Sequence, residues 1–250
     1  MEQDILPDLL AAIEKEFDAR TYNSEKLKEL IQLLSDKKAT YLTVNDFAIE
    51  IGEILSEVFT IHVTTEVLPD GRMYFNIADR LLNATLSKNH ELITSFGVDV
   101  QAQLNQSVGI RIKGQVPEIN QDKVDGLINK ISDAPIFDDV KWLLNEPIIN
   151  FSQSIVDSIV KENADFLSRS GFDVELRRRV ANNCCGWCRS LEGTYDYYDL
   201  PDDVFRRHRF CRCTVEYQPR DQRGLQNSHT KKWRDPNEAE KIEERKYIGL

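Results

Sequence analysis

The sequence has no apolar run that reaches the roughly 18 residues of a membrane-spanning helix. The longest candidate, residues 51–63, is broken by Glu53, Glu57 and His62. A basic n-region followed by an apolar h-region is missing from the start, which reads Met1-Glu2-Gln3-Asp4. No leader is therefore expected, and the chain is expected to stay in a cytoplasm unless something else carries it out. Neither a G-x-x-x-x-G-K-[ST] nor a G-x-G-x-x-G phosphate loop occurs, which removes the common nucleotide-binding signatures. H-E-x-x-H is missing, and so is the H-x-E…P-C-x-x-C pattern of zinc deaminases. No internal repeat of 20 to 50 residues is visible.

Cysteine is missing from the first 183 positions. All five cysteines fall between Cys184 and Cys213. In a cytoplasmic chain such clustering favours metal binding over disulfides.

What is present is enough for a real core: 250 residues, 41% apolar and 30% charged. The net charge of −10 is unevenly placed. Residues 1–170 carry 16 basic and 28 acidic side chains, whereas residues 171–250 carry 16 and 14. The first part should repel nucleic acid at long range. The second holds the basic runs Arg177-Arg178-Arg179 and Arg206-Arg207-His208-Arg209, which read as solvated or salt-bridged surface, with phosphate contact as the alternative.

The expected fold class is α+β: a mainly helical part over residues 1–170, a small metal-clipped module of short strands and helix over 171–234, and a charged tail over 235–250. Leu27, Leu30, Ile31 and Leu34 recur at helical spacing behind Ser24, a good N-cap. A second helix is expected from near Thr43, with Val44, Phe47, Ile51, Ile54, Leu55 and Val58 on one face. Pro69-Asp70-Gly71 then marks a turn. Residues 74–106 read as a longer helix with a break near Gly97. Ile110-Arg111-Ile112 is a short strand or extended connector. Asn120 precedes a stripe of Val124, Leu127, Ile128 and Ile131. Residues 149–167 place Phe151, Ile155, Ile159 and Phe166 on one side, and Ser170-Gly171 ends that helix. Residues 194–198 and 213–217 have strand composition.

The chemistry is concentrated in Cys184-Cys185-Gly186-Trp187-Cys188 and His208-Arg209-Phe210-Cys211-Arg212-Cys213. Cys185 and Cys188 form C-x-x-C, and His208 and Cys211 form H-x-x-C. Two such clips suit a tetrahedral zinc ion held by thiolates and a neutral imidazole. Six candidates compete for about four positions. Cys185, Cys188, His208 and Cys211 are the favoured set, Cys213 is the alternative to His208, and Cys184 is spare. A structural zinc suits a segment too short to bury much apolar area alone. The catalytic alternative would need an open metal position and a base, for which Glu192 and Asp196 are the nearby carboxylates. His62 reads as a packed histidine, and His90 and His229 as solvated. Asp138-Asp139 and Asp202-Asp203 read as turn or helix-start residues.

The run from Cys185 to Tyr195 (Cys-Gly-Trp-Cys-Arg-Ser-Leu-Glu-Gly-Thr-Tyr), followed by Val204-Phe205-Arg206-Arg207-His208-Arg209-Phe210-Cys211-Arg212-Cys213-Thr214-Val215, resembles the C-terminal domain of phage Mu F-like minor head proteins. The family pattern is C-x-x-C with a following Leu-x-Gly, then His-x-x-Cys-x-Cys entering a strand. The resemblance spans about residues 178–234. Phe151-Ser152-Gln153-Ser154-Ile155-Val156-Asp157 is also similar to Gram-positive phage and prophage members. The resemblance implies a non-enzymatic structural protein of the virion head or procapsid, made in the bacterial host cytoplasm. Its implied partners are the portal protein and the major capsid protein, with packaged DNA as a further candidate and neither a membrane nor a small-molecule substrate. Two other functions remain open at this point: a zinc-dependent nucleic-acid-binding module, and a metal-dependent hydrolase or toxin.

Overall fold

The computed structural model describes residues 4–182 and 184–219. His229, the end of the expected module and the expected tail lie outside the described residues.

The helices follow from periodicity and caps. Helix α1 (Leu6–Asn23) buries Leu6, Leu9, Ile13 and Phe17. Ser24 ends α1 and caps α2 (Glu25–Ser35), its side chain accepting the Leu27 N–H. Leu27 and Leu30 are buried, but Ile31 of the expected stripe faces outward, because a short surface helix needs only a narrow apolar seam. Helix α3 (Tyr41–His62) starts two residues earlier than expected. Thr40 is its N-cap and forms a capping box with Thr43. All six apolar residues assigned to its face are buried.

The turn at Pro69–Gly71 places Asp70 and Gly71 at φ of 52° and 66°, as a Pro-Asp-Gly sequence permits. Helix α4 (Phe75–Ser107) runs unbroken through Gly97. A Cβ at Gly97 would lie 2.6 Å from Ile159 Cδ1. The glycine there serves close helix packing rather than a break. Residues 110–112 form no helix or strand and pair with no strand among the described residues. Asn120 caps α5 (Gln121–Ser132), accepting the Lys123 N–H at 3.0 Å.

Helix α6 (Glu146–Arg169) is the central strut, packed on α3 and α4. Phe151, Ile155 and Ile159 are buried, whereas Phe166 is exposed. The helix has one apolar side to give, and by Phe166 the neighbouring helices no longer cover that position. Gly52 of α3 lets α6 approach closely, since a Cβ there would sit 2.9 Å from Ile149 Cα. Buried polar side chains join α6 to both neighbours: Asn89 of α4 donates to Ser152 at 3.0 Å, and Gln153 meets Asn45 of α3 at 3.1 Å. Such satisfied pairs avoid the desolvation penalty of an unmatched polar group.

Beyond α6 come β1 (Val174–Arg179), the short helix α7 (Gly186–Ser190), β2 (Gly193–Asp196) and β3 (Thr214–Pro219). The three strands form one antiparallel sheet in the order β2-β1-β3. The α+β class is as expected, and the strands expected near 194 and 213 are β2 and β3. Strand β1 is an addition to that expectation, because its three arginines read as surface charge. Alternation explains it: Val174, Leu176 and Arg178 share the buried face, and Arg177 points out. Val174, Leu176, Val215 and Tyr217 join the core formed by the helices. The sheet and the helical bundle therefore share one apolar core across the change in composition at residue 171. His90 is half-buried rather than solvated, and desolvation pulls its pKa below the usual value. His62 packs against α1, with Nε2 2.5 Å from Glu16 Oε2.

Candidate metal centre

Four backbone segments meet at the cysteine cluster, and each is placed for a local reason. Cys185 is the N-cap of α7, and its Sγ accepts the Cys188 N–H at 3.4 Å. That turn brings the two sulfurs of C-x-x-C to the same side. The second clip is another tight turn, closed by the Cys211 N–H donating to the His208 carbonyl at 3.1 Å. Its closure puts Phe210 at φ 62°, a left-handed conformation that strongly favours glycine. Cys213 follows at the entry to β3.

Helix α6 holds this second clip through a polar face. Asp157 takes two hydrogen bonds from Arg207, at 2.6 and 2.8 Å. Glu146 takes two from Arg212, at 2.6 and 3.1 Å. Asn150 donates to the His208 carbonyl at 3.3 Å. Arg207 also donates to the Cys213 carbonyl at 2.6 Å, so one buried guanidinium ties α6 to the start of β3.

The ligand atoms converge as two triads that share one sulfur. Cys185, Cys188 and His208 form the first, and Cys188, Cys211 and Cys213 the second, each within 4.8 Å. His208 Nε2 lies 3.1 Å from Cys188 Sγ and 3.3 Å from Cys185 Sγ. Cys188 Sγ lies 3.8 Å from Cys211 Sγ, which matches the edge of about 3.8 Å expected when two thiolates hold one ion tetrahedrally at ~2.3 Å. All five candidate residues are thus brought together, and the cluster could hold a metal ion. Cys184, read as spare, belongs to neither triad and packs half-buried beside them.

The surroundings orient the imidazole and favour the thiolate at Cys185 and Cys211, whereas burial opposes it at Cys188, and the hydrogen bond with Cys211 together with burial opposes it at Cys213. His208 Nδ1 donates to the Arg209 carbonyl at 2.6 Å, which leaves the Nε2 lone pair aimed at the sulfurs, as metal-binding histidines are commonly oriented. Arg178 is buried and donates to the carbonyls of Val204 and Arg206. Its Nη2 also lies 3.7 Å from Cys188 Sγ, and its guanidinium lies over the Trp187 ring at 5.6 Å. The Cys188 N–H, with smaller help from its neighbours, holds the Cys185 thiol below its usual pKa. Burial pushes Cys188 the other way. The side-chain hydrogen bond from Cys213 brings Cys211 down to about 4, and the same bond together with burial raises Cys213.

Two features escaped the sequence reading. Arg178 as a sulfur partner was signalled only by the two-residue alternation from Val174 through Leu176. The α6 anchors Glu146, Asn150 and Asp157 lie 50 or more positions from their partners, and no local pattern marks them. Half of the arginines in the basic runs are engaged within the fold, Arg178 by carbonyls, Arg179 by Glu216 and Arg207 by Asp157, while Arg206 makes an exposed pair with Asp203. Glu192 and Asp196 join neither triad; Asp196 caps the turn at residues 197–199 instead, accepting the Tyr198 N–H.

Comparison of the chain with family models, with curated proteins and with solved structures gave no match.

Proposed function

We propose that this chain is a non-enzymatic assembly protein of tailed-phage heads, of the Mu F-like minor head type, whose second half is fixed by one structural zinc ion. The observation that carries the structural half of this reading is the convergence of both Cys/His clips on Cys188. In the proposed arrangement Cys185, Cys188, His208 and Cys211 hold the ion, and Cys213 stands beside Cys211 as a thiol donor. The metal would supply a rigid crosslink to a segment with few large aliphatic residues, a role worth an apparent ~10–16 kcal/mol in small zinc-finger peptides. Among the described residues no Asp or Glu lies within the cluster as a general base, which favours a structural over a hydrolytic role.

The head assignment rests on the Cys-x-x-Cys…Leu-x-Gly…His-x-x-Cys-x-Cys pattern and on the sequence of α6. It implies contacts with portal and major capsid proteins. The acidic bundle and the engagement of Arg178, Arg179 and Arg207 within the fold argue against packaged DNA as the main partner.

Two measurements test the two halves separately. Elemental analysis of purified protein should give one zinc per chain, and metal-free protein with freely titrating thiols would remove the zinc reading. Mass spectrometry of heads purified after induction or infection should find the chain at low copy beside portal and capsid proteins. Its absence from both procapsids and mature heads would overturn the assembly reading.

A further inference from the structure

A groove of about 760 Å³ opens between α5, the turn at residues 141–144, the start of α6 and the loop at residues 205–209. Its floor is apolar, made by Leu127, Leu143, Phe151 and Phe205. Its edge is basic. Lys123, Lys130 and Arg209 line it, and among the described residues no carboxylate does, in a chain whose net charge is −10. The two lysines form no ion pair among the described residues, whereas Arg206 and Arg207, which also reach the groove, are paired with Asp203 and Asp157.

One end of the groove carries an exposed stack of one guanidinium and two rings. The Arg209 guanidinium lies over Trp142 at 4.8 Å and over Phe210 at 4.9 Å. Trp142 is 42% exposed and Phe210 63%. Phe210 also occupies a left-handed backbone position, which a bulky residue adopts only against steric repulsion. Its ring packs against the Arg209 guanidinium. Exposed Trp, Phe and Arg at the edge of an apolar groove are the residue types that dominate binding at protein interfaces.

We propose that this groove docks an acidic peptide segment of a partner protein, with one bulky apolar side chain seated on Leu127 and Phe151 and flanking carboxylates on Lys123, Lys130 and Arg209. Charge complementarity selects the acidic partner. The apolar floor selects a peptide over single-stranded nucleic acid, which stacks its bases on successive exposed aromatic faces; here Arg209 lies over both exposed rings, Trp142 and Phe210. The proposal is independent of the head-protein reading and of the identity of the metal.

The test is a random peptide library displayed against the full-length, metal-replete chain. The selected peptides should combine glutamate or aspartate with one large apolar residue. Binding of a synthetic copy should fall at least tenfold in Lys130→Glu, an exposed substitution that leaves the melting temperature unchanged. A copy with lysine in place of its acidic residues should regain affinity for that variant. No enrichment, enrichment without an acidic bias, or binding unaffected by Lys130→Glu and by Leu127→Asp would overturn it. Binding of oligodeoxythymidylate through these residues in place of peptide would assign the groove to nucleic acid and overturn it equally.

Discussion

Asp157 of α6 grips Arg207 with two hydrogen bonds of 2.6 and 2.8 Å, and both side chains are only 7% exposed. Arg207 directly precedes His208, and it also donates to the Cys213 carbonyl. The helical bundle therefore sets the position of the second clip through one buried ion pair. Removing one partner of such a pair leaves an uncompensated buried charge, at about 3–5 kcal/mol. Asp157→Ala should destabilise the protein by that order in urea unfolding and weaken metal retention at the same time. Replacing both partners with apolar residues of similar volume should cost much less, since each charge is then removed together with its desolvation penalty. A double variant no more stable than Asp157→Ala would show that the pair matters through more than its mutual compensation.

Metal removal separates the five candidate ligands. Cys188 belongs to both triads, so Cys188→Ser should abolish zinc binding and loosen the packing around Trp187, read by near-ultraviolet circular dichroism. Cys213→Ser keeps a hydrogen-bond donor beside Cys211 and should retain one zinc per chain. Zinc loss in Cys213→Ser combined with retention in Cys185→Ser would shift the ligand set toward the buried triad. Chelation of the parent protein should lower its melting temperature, because an ion that binds only the folded state stabilises it by mass action.

How much of this was legible in the sequence depends on the range of the interaction. Ser24 and Asn120 were readable as caps because a cap acts across three residues. The two clips were readable because ligand spacing is local, and the chemistry of sulfur and imidazole leaves few alternatives. Phe166 and Ile31 misled because periodicity reports a face but not whether a neighbour covers it. Arg178 misled for the opposite reason: its charge outweighed the alternation that buries it beside Cys188. Glu146 and Asp157 reach the clip only in three dimensions.

Two glycines in helices should respond to alanine with opposite signs. A Cβ at Gly52 would meet Ser152 Oγ at 2.8 Å and Ile149 Cα at 2.9 Å, so the backbone of α6 would have to move. Overpacking of this kind costs about 1–3 kcal/mol. A Cβ at Gly126 in α5 would have nothing within 4 Å. Alanine there should stabilise by roughly 0.4–1 kcal/mol by restricting the unfolded chain. Thermal melts of the two variants check both signs.

The contact between Glu16 and His62 sets an acid-side dependence. Hydrogen bonds from His62 first, then Arg20, hold the Glu16 carboxyl below its ordinary value of 4.5. A depressed carboxylate contributes stability above its unfolded pKa and loses it as pH falls through the folded one. Glu16→Gln should therefore lower stability at neutral pH. The difference from the parent should shrink progressively below about pH 4.5. A gap that stays constant from neutral pH to pH 3 would mean that the carboxylate's charge is not what the contact uses.

Phe210 offers the sharpest contrast between stability and binding. Its left-handed backbone is imposed by the turn that brings His208 and Cys211 together, while its ring lies on the surface. Glycine removes the steric cost of about 1–2 kcal/mol but adds unfolded-state entropy of roughly 0.5–1 kcal/mol. Phe210→Gly should thus be between unchanged and about 1.5 kcal/mol more stable, with zinc retained. The same substitution removes one of the two exposed rings that hold Arg209 at the edge of the groove, so peptide binding should weaken. If stability rises and binding falls together, the strained position serves recognition. If stability falls, the ring supports the turn itself, and the exposed stack has a structural origin.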